Sequence, residues 1–287
     1  MMARQQPVAI TVQPWFRDHC FNGKVILPAV ETMEIMAAAV KESGTDALLS
    51  GMYDAGFSKF LEIPAGATEL SALVEYDEED EGEIGVKLLS RTCYKKITRL
   101  KEHARIKFST RPQNRGETVP IDQLFPTQPT GSVAAKHIYE ELVPFGPCYH
   151  TLTGHLHLSN LAAWGILQAP NFLQGQEEMA KNLGSPFPLD GAMHAACVLG
   201  QTISDFVPFP VGFAERIIHR PTKAGAQYST TVVLVSQDSG ELVFDLSIFD
   251  AAGKPCETVK GLKMRDVSGG QIKPPEWIKR YRFLVSG

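Results

Sequence analysis

Apolar positions along this chain follow two rhythms, and the rhythms occur twice in the same order. Across residues 30–40, strong helix formers place Met33, Met36, Ala37 and Val40 at three- and four-residue spacings, as in a helix with one buried stripe. Strand-like runs follow at 47–63, 68–76, 84–92 and 97–108. Much later, residues 189–206 are apolar nearly all round, and further strand-like runs follow at 212–219, 228–235, 242–249 and 258–265. A helix without a polar face is normally wrapped by protein on all sides. The pattern therefore predicts an α+β chain with two long helices, each followed by an antiparallel meander that can enclose it. The halves share element order rather than visible sequence similarity, and two unrelated α+β domains are the alternative.

Residues 110–132 hold Pro112, Pro120, Pro126, Pro129, Gly116 and Gly131 among polar neighbours, which breaks both periodicities. The expected organisation is a first unit at 1–111, a linker at 112–132 and a second unit at 133–287. A chain of 287 residues suits two fused units, each able to bury a core. The acidic residues 75–83, which include Gly82, read as a solvated hairpin tip.

Composition narrows the function. A formal charge of −4 without a Lys/Arg-rich tail argues against nucleic acid as a partner. The cysteines Cys20, Cys93, Cys148, Cys197 and Cys256 show no Cys-x2-Cys spacing and fit reduced thiols. No stretch reaches the roughly 18 apolar residues that span a bilayer, and the N-terminus lacks an uninterrupted apolar core of a signal peptide. The expected location is the cytoplasm.

Candidate chemistry lies in three segments. His19, Gly23 and Pro28 stand in a His-x3-Gly-x4-Pro spacing; Phe145, Gly146 and Pro147 form a turn; Asp190 opens the second apolar helix, with His194 one turn on. In this order the segments resemble the His-x3-Gly-x4-Pro, Tyr-Gly-Pro-x-Phe and Asp-x3-Gln/His signatures of polyketide-synthase-type dehydratases. The likeness extends to Glu34, to the run from Glu102 to Arg105, and to the hairpin from Phe249 through Leu262. Ala29 replaces the usual Gly after the Pro, and Phe145 replaces the Tyr of Tyr-Gly-Pro, which removes a phenolic hydroxyl. The resemblance implies a double hotdog fold, with His19 and Asp190 as a catalytic pair supplied by the two halves. It also implies supporting roles for His194, Gly23, Pro28, Gly146 and Pro147, and dehydration of a 3-hydroxyacyl chain on an acyl carrier protein to a trans-2-enoyl thioester in polyketide or fatty-acid-type biosynthesis.

Such chemistry requires a base for the α-proton, an acid for the departing β-hydroxyl and donors for the thioester oxygen. Imidazole titrates near working pH, which suits His19 as the base. A helix N-terminus favours a carboxylate, whereas a dry apolar tunnel favours the protonated acid, so an acidic role for Asp190 requires burial. Gly23, Gly146 and Gly191 are the positions where a missing side chain would let backbone amides approach an enolate oxygen. Each residue has a plainer reading: His19 as a turn residue, Asp190 as an N-cap, His194 as a core histidine bonded to a carbonyl.

His155 and His157 alternate with leucines as strand residues, and with His150 they lack a further ligand at zinc spacing, so no metal is expected. Gly-rich nucleotide fingerprints are missing too, and no cofactor is expected. The resemblance implies an acidic carrier, which would dock on the basic run Lys95, Lys96, Arg99, Lys101, Arg105 and Lys107; the plainer reading of that run is an ordinary solvated strand face, and a homodimer is allowed. Two other functions fit the same residues: a cyclase or double-bond isomerase of the same fold, and a non-catalytic acyl-binding protein.

Overall fold

The stripe expected at 30–40 is buried on more than one side. In the computed structural model, which describes residues 4–79, 82–94, 97–111, 129–171, 175, 177 and 180–282, helix α1 (Ala29–Glu42) buries Met33, Met36, Ala37 and Val40 and, on its other faces, Glu31, Glu34 and Ile35. Helix α2 (Phe187–Ile203) is buried from Phe187 to Thr202. It starts two residues before the apolar run because Pro188 sits in its first turn, where proline lacks no needed N–H. It stops before Phe206 because the Ser204 hydroxyl donates back to the Gly200 carbonyl at 2.8 Å and the chain turns extended.

The strands are β1 (Arg4–Thr11), β2 (Cys20–Phe21), β3 (Lys24–Val25), β4 (Leu48–Phe57), β5 (Glu69–Glu79), β6 (Glu83–Tyr94) and β7 (Ile97–Ser109) in the first half. In the second they are β8 (Gly131–Ala134), β9 (Leu152–Leu158), β10 (Ala162–Gln168), β11 (Phe209–Ile218), β12 (Gln227–Asp238), β13 (Glu241–Phe249) and β14 (Pro255–Arg265). Twelve of them form one antiparallel sheet in the order β1-β5-β6-β7-β4-β11-β14-β13-β12-β10-β9-β8.

The first part of that order, β1-β5-β6-β7-β4 around α1, recurs as β10-β12-β13-β14-β11 around α2. The fold is a double hotdog, and its repeat is visible in topology. The copies join where β4 pairs with β11, Ala55 facing Phe213 and Met52 facing Arg216. Gly212 permits that seam: its φ is +156°, and a Cβ there would strike the Ala55 carbonyl. Both helices thereby share one continuous core.

Strand β1 had no signature because it lies at a sheet edge and buries only Ile10. The acidic run 75–83 is largely strand rather than turn. Strand β5 continues to Glu79, and Lys87 on β6 lies 3.4 Å from Glu75 and 2.5 Å from Asp77, so a cross-strand cation supports the acidic face. Residues 80 and 81 lie outside the described residues, as do residues 112–128 of the expected linker; Gly131 and Ser132 already belong to β8.

Candidate active site

His19 is held by two local devices. A 3-10 turn (Pro14–Asp18) buries Trp15 and Phe16 and ends with the His19 N–H donating to the Phe16 carbonyl at 3.1 Å. The chain then reverses through the β2–β3 hairpin, whose turn residues Asn22 (φ 48°) and Gly23 (φ 74°) are both left-handed, as a tight two-residue hairpin demands. The reversal brings Ile26 back, so that its N–H donates to the His19 carbonyl at 3.1 Å and its carbonyl lies 3.1 Å from His19 Nδ1. A carbonyl only accepts, so Nδ1 carries the proton and Nε2 holds the lone pair. Pro28, at φ −62° and ψ 150°, caps α1, and its carbonyl accepts from both the N–H and the hydroxyl of Thr32 at 2.9 Å. The His-x3-Gly-x4-Pro spacing is thus a turn, a hairpin and a helix start.

His19 and Asp190 line one cavity of about 240 Å³, together with Phe145, Met193, His194 and Cys197. His19 is shielded on its protein side and keeps a partial exposure toward this space. Burial pushes its imidazole down to about 4, against the opposing pull of the Asp190 charge and the Ile26 carbonyl. Near neutral pH the ring is therefore an unprotonated base. Phe145 stacks on it, with ring centroids 4.2 Å apart and an interplanar angle of 23°, and Tyr149 meets it edge-on at 5.4 Å.

Asp190 reaches the cavity from the first turn of α2 and is buried. His194 Nε2 stands 3.0 Å from Asp190 Oδ2, without the alignment of a hydrogen bond. His194 is also buried, its ring packing against Phe145 at 5.5 Å and edge-on to Tyr139 at 5.8 Å. A core histidine tied to a carbonyl is not what the structure shows.

Among the singled-out glycines and prolines, Gly23, Pro28, Gly146 and Pro147 do not line the cavity. At Gly146 and Gly191 the expectation that a missing side chain exposes amides to substrate gives way to packing, whereas Gly23 has open space where a Cβ would stand and serves the left-handed hairpin turn. The Gly146 N–H already donates to the Asp18 carbonyl at 2.7 Å, and the Asp18 side chain fills the space over Gly146. Thr151 and Leu167 fill the space over Gly191.

Asp18 is the residue that sequence reasoning missed. Its carbonyl holds the Gly146 N–H and its Oδ2 accepts the Cys148 N–H at 2.8 Å, so the residue before His19 pins the Gly146–Pro147 turn of the other half. The only signal was its adjacency to His19. His150 contributes behind it, with Nε2 2.8 Å from the Phe145 carbonyl and its ring stacked on Tyr139 at 4.1 Å. Asp18→Ala is expected to lower turnover about tenfold and stability by about 1–2 kcal/mol, with Asp18→Asn milder because it keeps an acceptor; initial rates and denaturant midpoints check both.

Other histidines are engaged elsewhere. His103 also borders the cavity, but its Nδ1 lies 3.0 Å from the Lys59 carbonyl and its Nε2 2.7 Å from Ser90 Oγ, leaving no free nitrogen for a base. His157 stacks over Trp164. Among the described residues no group of three or more His, Cys, Asp or Glu side chains could hold a metal. In the basic run, Lys95 and Lys96 lie outside the described residues, Arg99 and Arg105 are exposed, and Lys107 stands 3.4 Å from Asp54.

Comparison with known proteins finds matches among sequence families and among solved structures. Two sequence families match the chain, the "Polyketide synthase dehydratase domain" over residues 4–91 and the "Polyketide synthase dehydratase N-terminal domain" over residues 122–272. No curated protein sequence matches it. Among solved structures, a trans-AT polyketide synthase dehydratase domain from Brevibacillus brevis is 18% identical, with a TM-score of 0.75 over 92% of this chain and 94% of that one. The dehydratase domain from the CurF module of curacin polyketide synthase is 16% identical, with a TM-score of 0.75 over 92% of each chain. A dehydratase domain of a mycocerosic acid synthase-like polyketide synthase is 15% identical, with a TM-score of 0.72 over 91% of each.

Proposed function

This chain belongs to the polyketide synthase dehydratase family, whose members are hydro-lyases that remove water from 3-hydroxyacyl thioesters, and we propose that it does so with His19 as base and Asp190 as acid. The observation that carries the residue assignment is that the two groups, 171 positions apart in sequence and on different repeats, border one apolar cavity.

His19 Nε2 takes the α-proton, and the electron pair left on the α-carbon passes through the thioester enolate to form the 2,3-double bond. Asp190 gives a proton to the β-hydroxyl, which leaves as water. The carboxylate that appears on Asp190 is the charge that raises the affinity of His19 for a proton, so the two transfers support one another. The imidazolium then returns its proton to the carboxylate and resets the pair. His194, whose Nε2 stands 3.0 Å from Asp190 Oδ2, is the supporting neighbour of that carboxyl.

The acyl group arrives on a carrier protein, and the aromatic wall of Phe21, Phe57, Phe60, Phe145 and Phe209 suits an apolar chain. The cysteines Cys20, Cys148, Cys197 and Cys256 are free thiols, which supports a reducing cytoplasm, and among the described residues no helix is long and apolar enough to cross a membrane.

The test is incubation with 3-hydroxyacyl thioesters of several chain lengths on a carrier protein. Absorbance of an enoyl thioester with loss of one water in the product mass is expected. A product of unchanged mass would mean a cyclase or isomerase instead, and binding without product an acyl-binding protein.

A further inference from the structure

Glu31 and Trp15 lie outside the catalytic chemistry, yet their contacts reach the turn that ends at His19 and the start of α2. Glu31 is fully buried on α1, an unusual place for a carboxyl, and its Oε1 accepts the Trp15 indole N–H at 3.0 Å. Trp15 is itself buried in the 3-10 turn that ends at His19. Its ring meets Phe187, the first residue of α2, at 6.4 Å and 61°, three positions before Asp190. Phe187 packs on Tyr149 at 5.5 Å, and Tyr149 meets the His19 ring. The contacts close a loop, His19 to Tyr149 to Phe187 to Trp15 and back along the turn to His19, and the Trp15–Glu31 hydrogen bond ties it to α1.

We propose that the Trp15–Glu31 hydrogen bond is a buried clamp that sets the spacing between His19 and Asp190, which makes Glu31 a positioning residue for the dehydration. The proposal rests on reading His19 and Asp190 as base and acid. A nonpolar residue at position 31 would fill the same space at less desolvation cost. What Glu31 adds is a directional bond, and direction is what fixes the indole, the turn behind it and the reach of His19. Misplacement by about 1 Å can cost on the order of a hundredfold in rate.

Charge keeps the clamp simple at working pH. Burial, reinforced by the Asp190 charge, pushes the Glu31 carboxyl up to about 8 against the opposing effect of the Trp15 N–H, so that it is mostly neutral at pH 7. Titratable groups facing it are Asp190 from α2, Glu34 from its own helix and Tyr149 from the Pro147 turn. His19 faces Asp190 and His194 from α2 and Tyr149 from that turn. Over the range in which His19 titrates, Glu31→Gln therefore changes no charge.

The experiment compares Glu31→Gln, which keeps an acceptor for the indole, with the double variant Trp15→Phe/Glu31→Leu, which removes the bond without orphaning either partner. Should the double variant fail to fold, Trp15→Phe alone carries the same expectations. Two readouts are taken: kcat and KM on a carrier-bound 3-hydroxyacyl thioester, and the His19 titration midpoint by NMR, which needs no turnover. The double variant is expected to lose about tenfold in kcat with KM nearly unchanged, and its His19 midpoint to rise toward the ordinary histidine value as the ring gains water. Glu31→Gln should match the parent in both. A double variant with parental kcat and an unmoved His19 midpoint would overturn the clamp, as would a Glu31→Gln variant as impaired as the double one. An inactive parent would instead overturn the assignment of His19 and Asp190, while the NMR midpoint would still decide the clamp.

Discussion

Replacing His19 with Ala or Asp190 with Asn is expected to slow dehydration at least about a hundredfold, because positioned bases and acids typically contribute 10²–10⁴. The fold should survive both changes. His19→Ala gives up the Nδ1 bond to the Ile26 carbonyl and the stack on Phe145, while the hairpin keeps its backbone bonds; Asn at position 190 keeps the shape of the buried carboxyl. The double variant should fall little below the worse single one, since groups that act in one proton cycle are not additive. Initial rates alongside circular dichroism check this, and parental turnover in either well-folded variant would remove that residue from the mechanism.

Stability is expected to fall as pH rises from about 6.5 to about 9, the reverse of the behaviour of ordinary salt-bridged carboxylates. Burial pushes Glu31 up to about 8 and Glu34 up to about 9. The folded state therefore holds protons that the unfolded chain releases near 4.5, and stability declines with pH until both have ionised. His19, pushed down to about 4, acts oppositely: the unfolded chain binds its proton more tightly, so stability rises with pH, but only between about 4 and 6.5. Above that window the glutamates dominate, joined toward pH 9 by Cys148, Cys197 and Cys256, whose thiols burial also pushes up, and the loss should be on the order of 2–5 kcal/mol. Arg216, bonded to Glu257 at 2.7 Å, tempers the Glu34 shift without cancelling it. Denaturant unfolding at pH 6.5 and 9 measures the slope, and Glu34→Gln should flatten roughly half of it. A stability that is level or rises over this range would contradict the buried neutral carboxyls.

These glutamates also mark where the sequence stopped being legible. The spacing of Met33, Met36, Ala37 and Val40 revealed α1, but a single apolar stripe implies that Glu31 and Glu34 face water; only closure of the sheet around the helix buries them. Helix α2 was legible because no polar face interrupts it, and so was its meander. Strand β1 and the seam between β4 and β11 were not, since an edge strand needs no alternation and pairing between distant strands leaves no local trace. At the site, His19 and Asp190 carried recognisable spacings. Asp18 did not, because its work is to hold backbone amides 128 and 130 residues away, at Gly146 and Cys148, and main-chain partners have no side-chain signature.

The most direct test of two halves serving one reacting group is a crystal structure of the Asp190→Asn variant with a 3-hydroxyacyl pantetheine thioester bound. The β-hydroxyl should lie within about 3 Å of the side chain at position 190, and the α-carbon within about 3.5 Å of His19 Nε2, in one cavity. An acyl chain seated so that it touches only one of the two groups, or lies in another pocket, would contradict the shared site.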